Sequence, residues 1–74
     1  SGIAIHPQTG ELYLLSATGK ALLVMTKQGE ILARVKLNPA LFPQPEGICF
    51  GPEGTLYISS EGDGREGRIF RFAQ

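Results

Sequence analysis

Two carboxylates carry the clearest chemical signal in this chain of 74 residues. Glu46 opens the segment "EGICF" and Glu61 closes "TLYISSE". A turn through 51–54 joins the two segments into an antiparallel hairpin, whose first and last residues face each other at one end. Carboxylates so placed can bind a cation such as Ca²⁺, or hold a proton between them. The plainer alternative is a solvated or backbone-capping role for each.

The other chemistry-bearing residues give weaker signals. Glu61, Asp63 and Glu66 lie in the glycine-rich run "EGDGREG". They lack the EF-hand pattern, because no bidentate Glu follows at the required distance, so a polar loop is the expectation. The same glycines precede no helix and match no phosphate-binding spacing. His6 is the single histidine and stands beside Pro7, which suits a turn or surface residue. Cys49 is the single cysteine, so it forms no internal disulfide and has no partner at zinc-site spacing. With no base offered nearby, it reads as a small packed residue rather than a nucleophile. No catalytic residue is assigned from the sequence.

Composition excludes several classes of function. Seven basic and seven acidic residues cancel, which removes the electrostatic footprint of a nucleic-acid binder. No apolar run reaches the ~20 residues of a spanning helix. A hydrophobic fraction of 42% is that of a globular chain rather than a disordered one. The size allows at most one small domain, near the limit at which a single core suffices.

The elements that must position Glu46 and Glu61 follow from an internal echo. "GIAI" at 2–5 returns as "GICF" at 47–50, 45 residues on, and Pro7 returns as Pro52. Leu12-Tyr13 returns as Leu56-Tyr57 and Ser16 as Ser60, 44 residues on. Gly19-Lys20 is matched to Gly67-Arg68, with extra residues allowed in the intervening loop. A period of roughly 40–45 residues filled with short strands is the mark of a β-propeller blade.

Strands are expected at 2–6, 11–17, 20–26, 30–37, 46–50, 55–60 and 68–72. The fold class is therefore all-β: a propeller fragment of about two four-stranded antiparallel blades, the last lacking its outer strand. Residues 1–37 form the first blade, 38–45 a crossover and 46–74 the second, incomplete blade. In the crossover, Asn38 before Pro39 suits the cap of one helical turn, which Pro43 and Pro45 prevent from growing.

Leu12 to Leu15 and Leu22 to Met25 are apolar on both alternating faces, as in a sheet covered on both sides. Leu23 and Leu56 are accordingly both expected to lie between sheets. Ile31, Ala33, Val35 and Leu37 form one face of an outer strand whose other side is wet. Tyr13, Tyr57, Phe70 and Phe72 are expected to pack between blades. Two stacked sheets leave two outer faces uncovered, so the chain reads as a piece of a longer propeller, or as one that assembles with copies of itself.

The segment "PQPEGICFGPEGTLYISSE" followed by "GRIFRF" resembles the closing blade of the SdiA-regulated, or YjiK-like, family of bacterial β-propellers. Residues 43–72 carry the likeness well and 1–37 more loosely. More broadly the chain is similar to the NHL, phytase-like and gluconolactonase-like propellers. The long "EGDGREG" departs from the family's short turn, as does Ser1 where the second unit has Glu46. The resemblance implies a periplasmic or cell-envelope location and a Glu46 directed toward a central channel, where metal or substrate sits; Glu61 joins it as a candidate metal ligand from the hairpin geometry. It implies a ligand- or partner-binding module, with Ca²⁺ as the cofactor considered. The alternative is the C-terminal part of a metal-assisted hydrolase of lactonase, phytase or phosphoesterase type. The partners expected are remaining blades or further copies of the chain, with no nucleic acid and no transmembrane segment in this piece.

Overall fold

The computed structural model describes residues 2–62 and 66–73, and these form seven strands with no helix among them. The strands are β1 (Gly2–Ile5), β2 (Leu12–Ser16), β3 (Ala21–Met25), β4 (Ile31–Lys36), β5 (Gln44–Phe50), β6 (Leu56–Glu61) and β7 (Arg68–Phe72). They make two antiparallel meanders, one of four strands in the order β1-β2-β3-β4 and one of three in the order β5-β6-β7. The all-β expectation holds, and the two sheets are consistent with a propeller fragment.

Alternation of apolar residues decides how the sheets stack. In the first sheet Gly2 pairs with Leu15 and Leu15 with Leu22, while Ala4 pairs with Tyr13 and Tyr13 with Val24. Directly paired residues share a face. These six therefore look to one side, and Leu15, Leu22 and Val24 are buried there. In the second sheet Ile48, Ile58 and Phe70 share a face with Phe50, Leu56 and Phe72. The two faces meet in one core, in which Leu15 and Leu22 join Leu56 and Ile58. Ile58, at 1% exposure, is the most enclosed of them.

The crossover completes this core. Asn38 accepts the Ala40 N–H on its side-chain oxygen at 2.9 Å, and its backbone carbonyl accepts from Leu41 and Phe42. The single capped turn expected from Asn38-Pro39 is therefore present. It delivers Phe42 into the core, with its ring centroid 4.4 Å from that of Phe70. Strand β5 then starts at Gln44, earlier than the sequence pattern suggests, because Ser60 Oγ accepts the Gln44 N–H at 3.2 Å.

At the other end the first turn of each sheet touches its counterpart. His6 Nδ1 accepts the N–H groups of Gln8 and Thr9 at 3.1 and 3.3 Å, so its proton sits on Nε2. His6 is thus a turn residue as expected, but a buried one, wedged beside Phe50 and Tyr13. Gln8 donates across the seam to the Pro52 carbonyl at 3.1 Å. The facing turn needs Gly54, whose φ is +89° and whose missing Cβ would stand 2.8 Å from Gln8 Oε1. Gly54→Ala is expected to cost at least 1–2 kcal/mol from the left-handed backbone alone. A thermal melt checks this, and an unchanged midpoint would contradict the close packing of the turns.

Three expectations need correction. Leu23 does not lie between the sheets: it pairs with Leu14 on the face turned away from the second sheet, and it is half-buried. Cys49 is exposed, because alternation from Ile48 and Phe50 points it away from the first sheet. The outer strand β4 has no single apolar face either. A bulge between Val24 and Met25 pairs Ala33 with Val24 but Ile31 with Met25, which moves Ile31 to the opposite side.

Candidate functional site

The first strands of the two sheets run beside each other along a tight seam. A Cβ on Gly2 would stand 3.1 Å from Ile48 Cγ2 and 3.7 Å from the Glu46 carbonyl oxygen. This close approach places Glu46 at the seam, at the end of the sheets opposite the turns of His6 and Gly54.

The register there differs from a plain hairpin. Gln44 pairs with Glu61, Pro45 with Ser60 and Gly47 with Ser59, which leaves Glu46 as the unpaired residue of a β-bulge. The expectation that Glu46 and Glu61 stand opposite each other in the ladder is thus corrected. Buried Pro45 lacks an N–H and Ser60 Oγ takes that of Gln44, so the ladder slips by one residue. The slip nevertheless brings the two carboxyl groups together. A hydrogen bond with Glu46 holds the Glu61 carboxyl above the usual carboxylate range, reinforced by like-charge repulsion and a smaller desolvation effect. Both residues are exposed, so the pair meets solvent and any incoming ligand directly.

Beside the pair, a cleft of about 620 Å³ opens between the crossover and the β6–β7 connection. Leu41 and Pro43 wall one side, and Glu61, Glu66 and Arg68 bring charges of both signs to the other. Arg68 was not singled out from the sequence; its place directly after Gly67, where the last strand starts, was the available signal. Glu66 lines the cleft and is exposed, while Asp63 lies outside the described residues.

Calcium takes 6–8 oxygen ligands. The described residues contain no cluster of three or more His, Cys, Asp or Glu side chains able to hold a metal. Glu46 and Glu61 supply two carboxylates of the kind such a site uses. What the pair offers is two exposed carboxyl groups close together, of which Glu61 holds its proton to higher pH than an isolated glutamate.

No described helix is long and apolar enough to cross a membrane. A search of curated proteins and a search of solved structures each found no match. The family model described as SdiA-regulated matches residues 1–64, a span that takes in the first six strands and both carboxylates of the pair. The chain belongs to the SdiA-regulated family.

Proposed function

We propose that the two sheets are repeated units, two blades of a ligand-binding β-propeller, and that Glu46 and Glu61 are its ligand-contacting pair. The single observation that carries this reading is the nearness of two exposed carboxyl groups at the seam beside a charged cleft, which raises the Glu61 pKa. Two acids held within hydrogen-bonding range on rigid strands cost the fold repulsion whenever both are ionised, and a bound cation relieves it. The ligand is a cation, Ca²⁺ being the candidate, or a cationic group on a larger molecule. A place in the bacterial cell envelope accompanies this reading through the family resemblance.

The sign of the pH effect follows from the raised pKa. The folded chain keeps the Glu61 proton to higher pH than the unfolded chain does, so the pair favours folding below the unfolded value. That contribution disappears as pH rises through the raised value. Cation binding runs the other way, strengthening as the Glu61 proton leaves. Ca²⁺ titration followed by NMR of the glutamate carboxyl carbons tests this. Glu46→Gln is expected to lower the Glu61 pKa toward its ordinary value and to weaken Ca²⁺ binding about tenfold or more, in line with the loss of a charged ligand. Equal Ca²⁺ affinity in wild type and variant would remove the pair from the site.

A further inference from the structure

His6 is buried where the first turns of the two sheets meet, and neither the carboxylate pair nor the cleft uses it. Its ring is not needed to close its own turn. There the His6 N–H donates to the Glu11 carbonyl at 2.9 Å, and the Gly10 N–H to the His6 carbonyl at 2.9 Å. The facing turn closes in the same way. Its Gly51 N–H donates to the Thr55 carbonyl at 2.8 Å, and its Gly54 N–H to the Gly51 carbonyl at 3.0 Å. Gly51, which stands in the place of His6, does this with no side chain at all.

The imidazole instead ties the first turn to the second. Nδ1 accepts the backbone N–H groups of Gln8 and Thr9, which fixes the segment from which the Gln8 side chain reaches the Pro52 carbonyl. The ring lies beside Gly54, where an added Cβ would stand 3.4 Å from Cε1 and 3.5 Å from Nε2. It also meets Phe50 of the second sheet, with centroids 4.9 Å apart. These contacts require the neutral ring. A protonated imidazole carries an N–H on both nitrogens, so Nδ1 stops accepting and turns its proton toward two other donors. Burial adds the cost of desolvating a charge. We infer that His6 is a proton-operated clasp: neutral, it holds the first turn against the second, and protonated, it frees Gln8 and opens this end of the seam.

The charged and titratable groups on the surrounding elements do not reverse this. Tyr13, on β2, presents a ring whose centroid is 6.0 Å away. The Glu11 carboxylate is engaged by the Thr9 hydroxyl at 3.2 Å in an exposed bond. Glu53, on the facing turn, is exposed. Lys27 reaches over Gly10 from the β3–β4 turn and opposes a positive charge on the ring. Water screens these charges, whereas the lost acceptor is inside the seam.

This inference is independent of the carboxylate pair and of what that pair binds. Because His6 is the single histidine, nitrogen NMR reads its ring without ambiguity. At about pH 7.5 the ring is expected to show a bare Nδ1 and a protonated Nε2, and acidification to about pH 5.5 spans the range in which histidines charge. Over that range the Gln8 and Thr9 amides, corrected for intrinsic exchange, are expected to lose protection about tenfold. The Gln8 side-chain amide and the Gly54 signals are expected to move with the midpoint of the ring. His6→Asn keeps an acceptor near the position of Nδ1 but takes up no proton here, so its melting midpoint is expected to lack the acid step of wild type. An equal step in both chains would overturn the clasp. So would a ring protonated on Nδ1 at about pH 7.5, a ring that charges while Gln8 and Gly54 stay still, or one that stays neutral until the whole chain unfolds. Should His6→Asn fail to fold, the wild-type titration decides alone. Ca²⁺ affinity, read separately through Glu46→Gln, stands or falls apart from these outcomes.

Discussion

Leu56→Asp is expected to leave the chain without a cooperative unfolding transition at 25 °C. Leu56 is 4% exposed and lies in the shared core with Leu15, Leu22 and Ile58. Removing its side chain alone costs about 2–5 kcal/mol at a typical core site. The substitution also strands a carboxylate in the core, where no Lys or Arg of the described residues is buried, and burying an unpaired charge costs more again. Against this, a chain of 74 residues has roughly 4–11 kcal/mol of total stability to lose. Leu23→Asp provides the internal comparison. Leu23 has the same chemistry and sits on an equally central strand, but it looks away from the second sheet, so its aspartate reaches water. That variant is expected to keep a cooperative melt. A near-UV spectrum and melt for both variants check the contrast; loss of both folds would mean that the outer face is as enclosed as the inner one.

Phe42→Ala is expected to cost about 3–5 kcal/mol, the usual range for emptying a buried aromatic site. The residue belongs to the crossover rather than to any strand, yet it is 4% exposed and its ring centroid lies 4.4 Å from that of Phe70, the planes tilted by 41°. Three consequences follow from that position. The ring fills the space above β7, whose own residues are mostly exposed. It holds the Asn38 turn, which local hydrogen bonds close, against the second sheet. It also supports the wall of the cleft next to Leu41 and Pro43, so the loss should reach the neighbourhood of Glu61. Denaturant unfolding gives the size of the effect, and hydrogen exchange of β7 gives its location. A destabilisation below about 1 kcal/mol, under what even a small buried truncation costs, would contradict the core role assigned to Phe42.

Most of the strand pattern was legible because period-two alternation and turn residues are local properties. "GPEG" and "PQTG" mark turns whichever way the sheets later stack, and both close with a glycine at positive φ. The Asn38-Pro39 cap was legible for the same reason. Which of two apolar faces becomes the core was not. Leu12, Leu14 and Leu23 are as hydrophobic as Leu15 and Leu22, and only docking of the second sheet separates them.

The candidate site divides in the same way. Two carboxylates at one end of a hairpin could be read from residue type and spacing. The bulge at Glu46 depends on a buried Pro45 and on Ser60 reaching Gln44, contacts between segments far apart in the chain. Residue order by itself determined two sheets of short strands, their turns, and acids at one end. Tertiary structure alone decided which leucines are core, how Glu46 reaches Glu61, and that Arg68 lines the same cleft. Each of those outcomes depends on which face one sheet shows another, and burial is settled only once both surfaces meet.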